Sequence, residues 1–414
     1  MANVAVLEVR LYNEPIGSLT WIDGDRTIFA FNDAYVANEN RPILGLFFKD
    51  QHGELRTEFG RLRQTRVMPF FSNLLPEGHL RTYLAERAGV NPDREFFLLW
   101  VLGLDLPGAV TLIPADGEDW PPEARLATDD PEADIQDRAN ALRFSLAGVQ
   151  LKFSAINDPT GGLTIPARGL GGSWIVKLPS SAFEGVPENE YSMMTLARLI
   201  GMDVPAIELV NTDMINNLPG GIERLGGQAL AIERFDRLAD GTAVHTEDFA
   251  QVFDLYPTDK GKYRSASSRD IAAVIAAEGS NADIAEFIRR LTFNTLIGNG
   301  DMHAKNWSLI YPDKRNAALA PAYDFVSTIN YIPNDQAALK FSRTRQFDGF
   351  SEDELKHLSA RASLPEQLVL DSARETVDLF HQYWESEKAN LPISREIVQA
   401  IESHLKTIPI AAGK

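Results

Sequence analysis

The chain has 414 residues, 44% of them apolar, with 40 lysines and arginines against 58 aspartates and glutamates, a formal charge of −18 and no cysteine. This supplies material for sizeable cores, about two to four domains, and rules out wholesale disorder. It excludes disulfide frameworks, thiolate metal sites and a cysteine nucleophile, and it leaves DNA or an anionic membrane reachable only through a local basic patch or a basic partner.

In chain order, Val4, Val6, Val9 and Leu11 predict a first strand, with a turn at Asn13-Glu14-Pro15. The stretches FFSNLLPEG (70–78) and GAVTLIP (108–114) flank an apolar run from Phe96 to Leu104 and complete a small α+β unit over residues 1–115. That run is about half the roughly 20 residues a membrane-crossing helix needs. No basic segment followed by a long apolar stretch opens the chain, so a cytoplasmic location without membrane contact is expected.

Residues 116–140 read as an acidic linker: eight acidic residues between Asp116 and Asp134 face only Arg125, with prolines at 121, 122 and 131. Strand-like segments follow at Phe144–Ile156, Ser173–Leu178 and Ala229–Phe235, within a unit spanning 141–240. From 241 to 410 the pattern is mostly helical. Leu370, Ala373, Val377, Phe380 and Trp384 form one amphipathic stripe, and Ser351 with Glu354 and Ser363 with Glu366 read as capping boxes. A strand-rich block before a helix-rich block predicts two lobes with a cleft between them.

Leu296 to Trp307 (LIGNGDMHAKNW) carries the chemistry. A helix with Ile284, Phe287, Ile288 and Leu291 on one face precedes it, and Gly298 and Gly300 stop that helix. Asp301 and Asn306 then stand at the spacing D-x-x-x-x-N, which in protein kinases places a catalytic aspartate and a metal-binding asparagine. A hairpin at Trp307–Tyr311 and Ala317–Leu319 leads to Tyr323-Asp324-Phe325, the kinase order of catalytic loop, hairpin and metal-binding aspartate. Val326 follows, so the full D-F-G signature is absent. Mg2+ takes carboxylate and amide oxygens, which Asn306 and Asp324 can supply. Asp301 can orient an acceptor hydroxyl and take its proton, a role worth about 10²–10⁴ in rate.

Lys177, inside the apolar strand Trp174–Leu178, is the expected cation on nucleotide phosphates, since a buried lysine is costly unless paired. Glu190, 13 residues on at the start of a helix, is its expected partner. No G-x-G-x-x-G or Walker sequence occurs; Ser145 to Lys152 (SLAGVQLK) is the nearest phosphate loop.

On FFSNLLPEG, GAVTLIP, FSLAGVQLK (144–152), IVKLP (175–179), ENEY (188–191), ERFDR (233–237), GDMHAKN (300–306) and PAYDF (321–325), taken in order, the chain resembles the HipA toxins, serine/threonine kinases of type II toxin–antitoxin systems. The resemblance implies an α+β, bilobal protein-kinase-like (lipid-kinase-related) core with the small N-terminal subdomain and an all-helical C-terminal lobe. It implies Asp301 as catalytic base, Asn306 and Asp324 as Mg2+ ligands, and Lys177 on the phosphates of ATP. Ala147, Gly148, Val149, Gln150 and Lys152 would belong to the nucleotide loop. Glu233, Arg234 and Phe235 would be the hinge holding adenine through its backbone, with His303, Lys305 and Tyr323 lining the same cleft. Ser145 would be the autophosphorylated serine whose modification silences the kinase; Leu151 stands where an acidic residue is expected, so that loop departs from the family. The implied partners are a HipB-like helix-turn-helix antitoxin, operator DNA only through that antitoxin, and a protein substrate in translation such as an aminoacyl-tRNA synthetase. Two other readings stay open: a kinase-fold phosphotransferase acting on a small molecule or lipid, and an inactive pseudokinase serving as corepressor.

Overall fold

In a computed structural model of the chain, residues 4–59, 62–115, 152–157, 163–164, 172–180, 182–218 and 226–412 are described. The acidic linker, the expected phosphosite Ser145 and the loop residues Ala147, Gly148, Val149 and Gln150 lie outside the described residues.

Period-two alternation builds the first sheet. β1 (Val4–Leu11) buries Ala5, Leu7, Val9 and Leu11, because successive side chains of a strand point to opposite faces. It pairs antiparallel with β2 (Glu14–Ile22) across Tyr12 and Asn13, both at positive φ (54° and 65°), the handedness a tight hairpin requires. The turn therefore falls one residue earlier than the prolyl sequence suggests. β3 (Arg26–Phe31), β4 (Arg63–Gln64) and β5 (Val110–Pro114) complete the order β4-β3-β2-β1-β5. Among the described residues of this unit are the α-helices α1 (Asp33–Ala37), α2 (Pro69–Ser72), α3 (Gly78–Ala88) and α4 (Glu95–Leu102). Phe29, Phe48, Phe70, Phe71, Phe96 and Phe97 fill its core, at about 1.5–3 kcal/mol for each side chain fully buried.

The second sheet holds β6 (Lys152–Asn157), β7 (Leu163–Thr164), β8 (Trp174–Lys177), β9 (Ile207–Asn211), β10 (Ile215–Asn216) and β11 (Gln228–Glu233), in the order β10-β7-β6-β8-β11-β9. Helix α5 (Val186–Leu199) packs on β9 and β11 with Met193, Met194, Leu196 and Ala197 buried.

The C-terminal lobe contains α6 (Phe249–Val252), α7 (Asp259–Arg264), α8 (Ser268–Glu278), α9 (Asn281–Leu296), α10 (Glu352–Ala362), α11 (Glu366–Glu387) and α12 (Arg395–Leu405). It is not wholly helical. The expected hairpin forms β13 (Ser308–Tyr311) and β14 (Ala318–Leu319), and β12 (His245–Asp248) adds a third strand beside β13. Four residues of strand before a helix left no readable period. The stripe Leu370, Ala373, Val377, Phe380 and Trp384 is buried along α11. Ser351 caps α10, accepting from the Glu354 N–H at 3.3 Å, but the reciprocal half of the expected box does not form, because the Glu354 carboxylate accepts from the Ser342 and Arg343 N–H groups instead. Ser363 does not open a helix; it closes α10 at φ 57°, and α11 begins only after Pro365, whose fixed φ suits a helix start. Among the described residues no helix is long and apolar enough to cross a membrane.

The N-terminal unit is joined to the rest by buried polar contacts. The Arg234 guanidinium bonds Asp236 at 2.9 Å and reaches Asp105 at 3.1 Å, and the Gly108 N–H donates to Asp236 at 2.8 Å.

Candidate active site

Lys177 ends β8, flanked by β6 and β11, so its stem is enclosed by sheet and helix and only 3% of the residue is exposed. Its ammonium contacts the carboxylates of Glu190 on α5 and of Asp324. Burial alone would lower the lysine pKa, but Asp324 and Glu190 outweigh it and raise it, so the side chain is a cation. Asp324 takes a left-handed φ of 58°, uncommon for a residue other than glycine. The turn sends Phe325 into the core against Phe293, with ring centroids 5.3 Å apart, and leaves the Asp324 carboxylate at the lysine.

The catalytic-loop stretch is set by backbone bonds. Gly298 sits at φ 65°, where a Cβ would lie 2.6 Å from the Ile329 side chain, so glycine answers both the turn and the close approach. Asn299 is 1% exposed. Its amide nitrogen donates to Asn294 Oδ1 (2.8 Å) and to the Asp324 carbonyl (3.2 Å), and its Oδ1 accepts from the Asp301 N–H (3.0 Å). One buried amide thus links the two aspartates expected to work together. The Thr328 hydroxyl accepts from the Gly300 N–H at 2.7 Å and ties the segment after Asp324 to the same loop. Asn306 donates from its amide to the Asp301 carbonyl at 2.9 Å. The Asp301 carboxylate accepts from the hydroxyl of Tyr263 on α7.

The remaining expected residues divide. Tyr323 is half-buried, donates to the Lys305 carbonyl at 2.9 Å and stacks on Phe235 at 5.8 Å; loss of solvent around its hydroxyl raises the phenol pKa, so it stays protonated. His303 is buried, which together with Lys262 pushes its pKa down to about 3, and the ring is neutral. The N–H groups of Glu233 and Arg234 bond Ala206 and Ser173 carbonyls, each at 2.8 Å. A purine at this hinge would have to use other groups, such as those of Phe235. The Arg234 side chain serves the junction with the N-terminal unit. Lys152 opens β6 in register with Lys177.

Lys305 points toward the N-terminal unit. Its ammonium bonds the Asn73 carbonyl and the Glu77 carboxylate, each at 3.0 Å, with Asp248 at 3.9 Å. A nucleotide contact from Lys305 would break this set. Glu77 also pairs with Lys262 at 2.6 Å. Burial would raise its pKa, but Lys305 and Lys262 overcome that and hold it down at about 2. Asn299, Tyr263, Thr328 and Glu77 escape a sequence reading. Asn299 lies within a stretch already singled out, whereas nothing in spacing marks Tyr263.

Asp324 and Asn306 offer one anionic and one amide oxygen, a hard and sparse set that suits a cation drawing its other ligands from phosphate and water, as Mg2+ does.

Residues 144–384 match the HipA-like C-terminal domain family and residues 7–113 the HipA N-terminal domain family. The chain belongs to the HipA family. It is 59% identical to "Putative kinase Y4dM" of Sinorhizobium fredii over 99% of this chain and 98% of that protein. To the "Serine/threonine-protein kinase toxin HipA" of Shewanella oneidensis it is 28% identical, over 66% of this chain and 65% of that one. A solved Shewanella oneidensis HipA–HipB–operator DNA complex superposes with a TM-score of 0.72 at 21% identity, covering 98% of this chain and 96% of that chain, so the fold is that of HipA.

Proposed function

We propose that the chain is a Mg2+–ATP-dependent serine/threonine protein kinase and the toxin of a HipA-type module. The observation that carries this reading is the buried Lys177, held between Glu190 and Asp324, next to a loop in which Asn299 joins Asp324 to Asp301. This supports the reading, because protein kinases pair a strand lysine with a helix glutamate and use two aspartates in these roles.

Lys177 would hold the nucleotide phosphates by its charge. Asp301 would accept the hydrogen bond of an acceptor serine or threonine hydroxyl and take its proton. Asn306 and Asp324 would hold Mg2+, which when bound offsets phosphate charge. Asn299→Ala should cost about 10²-fold in phosphorylation rate, since a displacement near 1 Å is enough for that. An initial rate equal to wild type would count against the coupling.

By relation to HipA, the acceptor would be a translation component such as an aminoacyl-tRNA synthetase, and the partner a HipB-like antitoxin through which operator DNA is bound. Ser145 would be a self-phosphorylation site that silences the enzyme. The test is incubation with Mg2+ and γ-labelled ATP, followed by mass spectrometry. The expected result is phosphate on the peptide carrying Ser145, lost when EDTA removes the metal. Label confined to other residues would remove the silencing switch, and no label at all would remove the kinase.

A further inference from the structure

The contact between Tyr263 and Asp301 has no part in the reaction just described. Tyr263 is delivered to the carboxylate by a placed element. α7 is capped by Thr258, whose side chain accepts from the Gly261 N–H at 3.3 Å. Lys262, beside the tyrosine, is fixed to Glu77 at 2.6 Å. The phenol ring stands edge-on to the buried His303 ring, centroids 4.9 Å apart. From there its hydroxyl donates to Asp301.

In phosphoryl transfer the acceptor hydroxyl must itself donate to that carboxylate. The tyrosine hydroxyl makes the bond the acceptor must make, so the two compete. Resting on the kinase reading above, we infer that Tyr263 is a specificity-determining residue of the acceptor site: its hydroxyl stands in for the acceptor hydroxyl, and an acceptor is phosphorylated only by displacing it. Water, with one weak contact to offer, competes poorly. A protein segment bound along its length can move the ring aside. The residue thereby suppresses idle ATP hydrolysis and favours extended acceptors.

Tyr263→Phe retains the ring against His303 and deletes only the hydroxyl. Its ATP hydrolysis in Mg2+–ATP alone should rise roughly tenfold, the size of one hydrogen bond to a charged group, with the KM for ATP unchanged. A fall in rate, as from a tyrosine that orients the base, overturns the inference, and so does an unchanged rate. A second readout is independent of turnover. In full-length protein carrying 13Cζ-labelled tyrosine, the Tyr263 resonance, identified by its loss in Tyr263→Phe, should shift in Asp301→Ala, which removes the acceptor oxygen. No shift removes the contact and the inference with it. A wild-type chain that neither hydrolyses ATP nor transfers phosphate overturns the kinase reading itself, and the resonance then tells that failure apart from an absent contact.

Discussion

Asp301→Asn is expected to lower ATP-dependent phosphorylation by about 10²–10⁴-fold, the ordinary worth of a positioned proton acceptor, without unfolding the protein. The side chain is exposed at the loop, and the bonds that shape the loop use its backbone: His303 N–H donates to the Asp301 carbonyl at 2.8 Å and Asn306 to the same oxygen at 2.9 Å. Asparagine keeps the size and one acceptor oxygen, so the Tyr263 bond can persist, but an amide does not take a proton. Phosphate incorporation and thermal unfolding measured on the same sample separate the two effects. A variant with full activity refutes the role of Asp301, and a variant with a collapsed melting temperature shows that the loop is structural.

Lys177→Met is expected to damage both folding and activity. It leaves Glu190 and Asp324 facing each other in a buried site with the shared cation removed, a change that costs about 3–5 kcal/mol. The sign of the pH effect distinguishes this from simple loss of packing. In the wild type the lysine pKa is raised, so its contribution is complete below its ordinary value near 10.4 and fades only as pH rises through the raised one. Between pH 5 and 8 the wild-type triad therefore contributes a constant amount. In the variant two like charges share a buried space, which favours protonation of one. The variant should regain stability as pH falls from 8 to 5, measured by urea unfolding. A destabilisation equal at both pH values would show that the carboxylates do not feel each other. Lys177→Met with Glu190→Gln should recover part of the loss at pH 8, because one charge is gone.

The features legible in sequence were those written in local spacing. Val4, Val6, Val9 and Leu11 marked a strand, although its buried face is Ala5, Leu7, Val9 and Leu11; the 3–4 steps from Leu370 to Trp384 marked a helix, and a lysine within Trp174–Leu178 marked a charge that needed a partner. The illegible ones depend on contacts between distant segments. Ser363 and Glu366 have the spacing of a capping box, yet Ser363 closes α10 at positive φ because Pro365 begins the next helix. Lys305 sits in a motif expected to face nucleotide, but Glu77, 228 positions earlier, turns it toward the N-terminal unit. The hinge donors of Glu233 and Arg234 look available until β11 is placed in its sheet, where Ala206 and Ser173 take them.

Glu77 has a consequence for how this protein is made. Lys262 and Lys305 belong to the later-synthesised lobe, while the carboxylate that pairs with both belongs to the part that leaves the ribosome first. The surroundings of Asp301 therefore reach their final electrostatic state only once the two parts have docked. The charge balance around this loop thus depends on the docking of the N-terminal unit, not on the later lobe alone.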